Sequence, residues 1–216
     1  MKRRDFSLQL AGAGLGLATA GAARAQGAPV EGKDYLRLQS AAPVTLPSPQ
    51  KKVEVVEFFS YGCPHCFAFE PVLERWAKTL APDVYFHQLP VGFSLVYQMQ
   101  QKLFFALEDL GLREALHMKI FTAIHQQRRS LDTEAEMVAF LGTLGVDGAK
   151  FSAAFRSFNV NTRAARARQM SEAYKLDGVP TVGIQGRFVT SAALTGSHER
   201  ATAVTDYLIQ RARQGA

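Results

Sequence analysis

Between Lys52 and Ser60 the chain carries Val53, Val55, Val56, Phe58 and Phe59, so apolar side chains point to both faces. That is the pattern of a central strand covered on each side. After Gly62 the period lengthens. Phe69, Val72, Leu73, Trp76 and Leu80 recur at helical spacing, and Pro82 stops the run. Val84 to Val91 returns to a strand. A long helical block follows, with Val96, Met99, Leu103, Leu107 and Leu110 marking one helix and Leu112, Leu116, Ile120 and Ile124 the next. Thr133 with Glu136 reads as a capping box opening a third helix, which holds Met137, Phe140 and Leu141 and ends at Gly145. Phe151, Phe155 and Phe158 predict a short fourth helix, and Asn161 a cap for a fifth running to about Leu176. Thr181 to Thr190 reads as a hairpin turning at Gln185-Gly186. Ser197 opens a last helix with Ala201, Val204 and Leu208 inside.

The order is strand, helix, strand, helical block, hairpin, helix. It predicts an α/β thioredoxin-like fold with an inserted helical subdomain. An insert of about 85 residues is too long for a plain connection and should fold as its own cap. Residues 51–95 and 177–216 form the thioredoxin-like domain in this reading, and 96–176 the insert. Residues 26–50, with Gly27, Pro29, Gly32, Pro43, Pro47 and Pro49, form a mostly irregular lead-in with one short strand near Tyr35 to Gln39.

The first residues change the picture of charge and compartment. Lys2, Arg3 and Arg4 precede an apolar run from Leu8 to Ala22, and Ala23-Arg24-Ala25 offers small residues where a signal peptidase reads. The run is too short and too weakly apolar to span a membrane comfortably. Residues 1–25 therefore read as a signal peptide, cleaved after about Ala25, and the mature protein as exported. "RRDFSL" resembles a twin-arginine signal, although Ser7 and Leu8 depart from it; the choice of export route stays open. The whole chain carries +6. Removing Lys2, Arg3, Arg4, Arg24 and Asp5 takes away +3 and leaves +3. Nothing in that balance argues for nucleic acid, and Arg163, Arg166 and Arg168 read as a solvated helix face.

The only two cysteines, Cys63 and Cys66, stand where the strand gives way to the helix. A zinc site needs about four ligands, and there is no second cysteine pair; His87, His117, His125 and His198 are scattered over different elements. A staple around two residues would remove little unfolded-state entropy. A redox pair fits better. At the start of a helix, unpaired N–H groups and the positive end of the helix dipole face the Cys63 sulfur. Pro64 suits the first helical turn, and His65 can donate to a thiolate or add positive charge. A stabilised Cys63 thiolate favours the reduced form, which makes the disulfide an oxidant. Cys66, one turn inside, should be more buried and act as the resolving thiol. Neither metal nor other cofactor is expected.

"EFFSYGCPHCFAFEP", "GVPTVGIQGRFV" and the helical insert resemble the DsbA family, the thiol:disulfide interchange proteins of the bacterial periplasm. The resemblance runs from about Gly32 to the last helix. It implies a monomeric periplasmic oxidase that donates its disulfide to reduced or unfolded exported polypeptides. It also implies reoxidation by a quinone-linked membrane oxidase of the DsbB type. It places a cis peptide at Val179-Pro180, facing the cysteines and free to pair with a substrate strand. It makes Glu57 a buried acid beneath Cys66 that relays its proton, since a carboxylate in so apolar a strand is costly without a task or partner. Glu70 reads as a helix-surface residue tuning the local field. Where relatives often carry a lysine on the next strand this chain has Gln88, so the titration of Glu57 can differ from theirs. A reductase or isomerase of the same fold, or a non-catalytic peptide-binding chaperone, remain the competing readings. Isomerases of this kind usually carry a separate dimerisation domain that residues 26–50 are too few to supply, and the chaperone needs neither His65 nor two thiols.

Overall fold

The structure is a computed structural model and describes residues 27–215; the expected signal peptide and its cleavage point lie outside the described residues. Five strands form one mixed sheet: β1 (Leu36–Arg37), β2 (Val53–Phe59), β3 (Val84–Pro90), β4 (Thr181–Ile184) and β5 (Phe188–Thr190), in the order β1-β5-β4-β2-β3. β2 is central, parallel to β3 and antiparallel to β4. All seven of its residues are buried, Glu54 and Glu57 included. Because side chains alternate along a strand, Val53 and Val55 join one layer while Val56 and Phe58 join the layer behind the sheet.

Helix α1 (Pro64–Ala77) follows β2, and α8 (His198–Arg213) ends the chain. Both pack on the same face. Phe69, Leu73 and Trp76 meet Val204, Leu208 and Ile209 over Val55, Val182, Ile184 and Phe188. Fully burying side chains of this size contributes roughly 1.5–3 kcal/mol each, so this face alone ties the sheet's two halves together. The Trp76 indole donates to Asp206 at 2.9 Å, which closes the seam between the helices. α1 ends at Ala77, earlier than Pro82 suggested, and it contains Pro71, which offers no N–H to the preceding turn.

Five helices lie between the sheet halves: α2 (Leu95–Asp109), α3 (Arg113–His125), α4 (Glu134–Gly142), α5 (Gly148–Arg156) and α6 (Phe158–Ala173). They enclose a core of their own around Leu103, Phe104, Ile120, Phe121, Met137 and Phe151, and Phe59, Tyr61, Cys63 and Cys66 reach into it. The fold is therefore a thioredoxin layer with a helical insertion, and the cysteines sit at their junction.

Two local expectations are corrected. Asn161 does not cap the fifth inserted helix; Ser157 does, with extended backbone and its hydroxyl accepting from Val160 N at 3.1 Å. Asn161 is already inside the helix, its amide donating back to the Arg156 and Ser157 carbonyls. Phe158 consequently belongs to α6 rather than α5, and it is 86% exposed, so its apolar character misled the spacing. A four-residue helix, α7 (Ala192–Thr195), is additional. The Thr133/Glu136 capping box and the Ser197 cap form as read, and Gln185-Gly186 turns the hairpin with both residues at positive φ.

Candidate active site

β2 ends at Phe59, and Ser60, Tyr61 and Gly62 carry the chain to Cys63, the N-cap of α1. The turn is drawn tight: Cys63 N donates to the Ser60 carbonyl at 3.1 Å, and Gly62 N to the Ser60 hydroxyl at 3.2 Å. A Cβ on Gly62 would lie 2.9 Å from the Tyr97 ring, so only glycine lets α2 approach this closely. α3 grips the turn from above. His125 Nε2 lies 2.8 Å from the Tyr61 carbonyl, and His117 Nδ1 lies 2.8 Å from the Tyr61 hydroxyl.

Both thiols are free. Cys63 has extended backbone at the N-cap, and its side chain makes no capping bond, so its sulfur stands before the open end of the helix. A hydrogen bond from the Cys66 thiol lowers the Cys63 pKa most. The backbone N–H groups of Cys66 and His65 add to it, and the His65 charge contributes least; burial opposes them, and the result falls from 9.0 to about 6. Cys66 is fully buried. Burial pushes its thiol well above the usual range, and sharing its proton with Cys63 and facing Glu57 push the same way. The two thiols, three residues apart, are thus driven in opposite directions.

Opposite the cysteines the Val179-Pro180 bond is cis, and the Cys63 thiol donates to the Val179 carbonyl at 3.4 Å. Val179 and Pro180 line a groove of 350 Å³ with His65, Asp177, Ser191 and His198. Pro64 and His65 are exposed at the helix start. Cys63, Pro64 and His65 at the helix start thus stand beside Val179 and Pro180, while Cys66 and Glu57 are fully buried behind them.

Glu57 is fully buried in the central strand. Burial raises its pKa well above the carboxylate range, and the neighbouring charge of Glu70 raises it further. Glu70, expected on the helix surface, is buried instead. It lies four residues after Cys66, on the same inward stripe as Phe69 and Leu73, and that spacing was the signal by which it could have been found. Gln88 joins the two acids: its amide nitrogen donates to Glu57 and to Glu70, each at 2.9 Å. Sequence reasoning also missed Glu54, buried on the opposite face of β2 with His87 at 3.3 Å, and the Tyr61–His117 pair.

The wider comparisons agree with this geometry. A family described as "DSBA-like thioredoxin domain" matches residues 73–200, which begins after both cysteines; the thiol motif is thus separate support. The chain is 41% identical to a thiol:disulfide interchange protein DsbA of Burkholderia cepacia, over 91% of this chain and 92% of that one. It is 40% identical to the Bordetella pertussis protein of the same name, over 99% and 100%. The crystal structure of Pseudomonas aeruginosa DsbA superposes with a TM-score of 0.81 at 37% identity, covering 87% of this chain and 96% of that one. The DsbA of Xylella fastidiosa gives 0.78 at 31%, covering 86% and 98%. Similarity of this depth along nearly the whole chain, added to two thiols poised oppositely at a helix start, means that the chain belongs to the DsbA family and is a thiol:disulfide oxidoreductase.

Proposed function

We propose that the chain acts in the periplasm as a dithiol oxidase. It donates the Cys63–Cys66 disulfide to reduced or unfolded exported polypeptides through a mixed disulfide at Cys63. The observation that carries this is the opposed tuning of the thiols: Cys63 is lowered to about 6 while Cys66 is raised. A sulfur that is stable as thiolate is a good leaving group and stabilises the reduced enzyme, so the disulfide readily takes electrons. The chemistry balances without a cofactor. A substrate thiolate attacks Cys63, the Cys63–Cys66 bond breaks, and Cys66 takes up a proton, for which Glu57 is the nearby acid. A second substrate thiolate then attacks its partner sulfur and releases Cys63 as thiolate. Two electrons pass from the substrate dithiol to the enzyme.

Val179 and Pro180 would hold the substrate backbone beside the mixed disulfide, and His65, at the groove's edge, would add positive charge near the thiolate. The enzyme would work as a monomer, delivered by a leader cleaved near Ala25 and reoxidised by a quinone-linked membrane partner of the DsbB type. Residues 51–95 and 177–216 would form the redox layer and 96–176 its cap. Equilibrating the pair with glutathione tests the central reading. A potential more oxidising than glutathione supports the oxidase, whereas one as reducing as a thioredoxin overturns it.

A further inference from the structure

Residues of the helical insert close over the two buried acids of the thioredoxin layer, and their contacts treat the two carboxyl groups differently. The Arg113 guanidinium donates to the side-chain oxygen of Gln88 at 3.2 Å. That fixes which end of the amide is oxygen, so the NH2 end is the one facing Glu57 Oε2 and Glu70 Oε2. Tyr61 is buried, and burial raises its pKa well above the phenol range, so it keeps its proton. Its hydroxyl meets His117 Nδ1 at 2.8 Å in a buried contact. A neutral His117 whose Nδ1 accepts that proton carries its own hydrogen on Nε2, which lies 3.3 Å from Glu70 Oε1. This last contact is electrostatic rather than an aligned hydrogen bond, since Nε2 has no hydrogen-bond partner.

The two carboxylates are therefore served unequally. Glu70 has a nitrogen at each oxygen, the Gln88 amide at 2.9 Å from Oε2 and His117 Nε2 at 3.3 Å from Oε1. Glu57 has the Gln88 amide at Oε2 and nothing at Oε1, which is buried and unpartnered. Two buried acids sharing one amide do not both ionise readily, and the one with a further polar neighbour is the better place for the charge. Other charges nearby do not reverse this. Arg113 is answered by Glu108 at 3.5 Å. At the mouth of the 380 Å³ cavity where Glu70 and His117 reach solvent, Glu74 and Lys78 pair with each other, and Glu114 is the remaining charge.

We propose that the helical insert determines where the proton of this acid pair resides: His117, oriented by Tyr61, holds Glu70 ionised and leaves the proton on Oε1 of Glu57. His117 is then a positioning residue for thiol exchange. When the disulfide opens, the proton moves from Glu57 to the Cys66 sulfur, leaving a Glu57 carboxylate that is re-protonated from solvent past Glu70. When the dithiol is reoxidised, the transfer runs backwards. This consequence rests on Glu57 being the proton partner of Cys66; the location of the proton does not.

Infrared spectroscopy of the reduced full-length mature protein at neutral pH reads that location directly. One protonated-carboxyl band is expected, lost in Glu57→Gln and kept in Glu70→Gln. In a His117→Phe background, Glu70 loses its imidazole neighbour and takes a share of the proton, so the band should survive Glu57→Gln. His117→Gln, which restores an N–H, should return the wild-type pattern, and Tyr61→Phe gives a second, less disruptive way to release the imidazole. Opening of the Cys63–Cys66 disulfide by a substrate thiolate, the step that draws on the Glu57 proton, should slow about tenfold in His117→Phe, the scale of one contact to a charged group. A band lost in Glu70→Gln but kept in Glu57→Gln overturns the proposal, as does a band unaffected by both His117→Phe and Tyr61→Phe. If the infrared pattern holds while Glu57→Gln leaves the pH profile of disulfide opening unchanged, the proton's location stands and the role of Glu57 toward Cys66 falls.

Discussion

At the scale of single residues the order of causes at Cys63 matters more than their sum. The Cys66 thiol and the backbone N–H groups of His65 and Cys66 outrank the His65 charge. Replacing His65 by Ser should therefore raise the Cys63 pKa and make the disulfide less oxidising, but Cys66→Ala should raise the pKa further. Ultraviolet titration of the thiolate separates them; a larger rise in His65→Ser would reverse the ranking. The same number gives a pH dependence. Cys63 is an acid whose folded pKa lies below its ordinary value of 9.0, at about 6. Its stabilisation of the reduced fold is therefore fully present above pH 9 and disappears as pH falls through 6. The disulfide has no such group to titrate. Reduced protein should accordingly lose its stability advantage over oxidised protein on acidification through that window, which paired urea melts at pH 5 and pH 8 would reveal. An advantage unchanged between those two values would remove the Cys63 thiolate as its source.

At the scale of elements, caps and turns decide where the chain bends, and two substitutions test them. Ser157 ends α5 and starts α6 with one side chain, so Ser157→Ala should destabilise by about 1 kcal/mol. Gly186 has φ of 61°, and a Cβ there would lie 2.2 Å from the Ala42 carbonyl oxygen. Gly186→Ala should lose about 1–2 kcal/mol from backbone conformation alone, and more from the clash. Urea melts check both, and equal stability in Gly186→Ala would mean that the lead-in chain yields easily. These elements also mark what a sequence can tell. The capping box at Thr133, the hairpin at Gln185-Gly186 and the Cys-Pro-His-Cys start of α1 are local patterns, each complete within a few residues. The α5–α6 break was hidden because Phe158 continues a phenylalanine spacing yet faces solvent. Glu70 sits on the inward stripe of α1 by its spacing from Cys66, but the partners that make a buried acid tolerable there, Gln88 and His117, lie 18 and 47 positions away in the chain, and no local rule names them.

At the scale of the whole molecule, the sheet and the insert divide the two sulfurs between two surroundings. Cys63 stands at the helix start against the Val179 carbonyl, within reach of anything lying in the groove that Val179 and Pro180 line. Cys66 faces inward, into the core shared with the insert. A substrate sulfur can therefore bond to Cys63, and only Cys66 or a second substrate thiol can release it. Cys66→Ala removes the internal route while leaving Cys63 in place. Its Cys63 thiolate should attack disulfides of exported proteins, displacing one substrate thiolate, and accumulate covalent complexes visible as species that separate from the diagonal on two-dimensional non-reducing and reducing gels. Cys63→Ala should accumulate none, because the remaining thiol is buried and burial holds its proton on. N-terminal sequencing of the trapped enzyme reports the compartment at the same time: a start at Gln26 places the complexes after export, and an intact Met1 places them before it. Complexes trapped by Cys63→Ala instead would exchange the roles of the two thiols. Equal trapping by both would show that the fold does not separate them, and the opposed titration of the pair would then have no bearing on which sulfur the substrate meets.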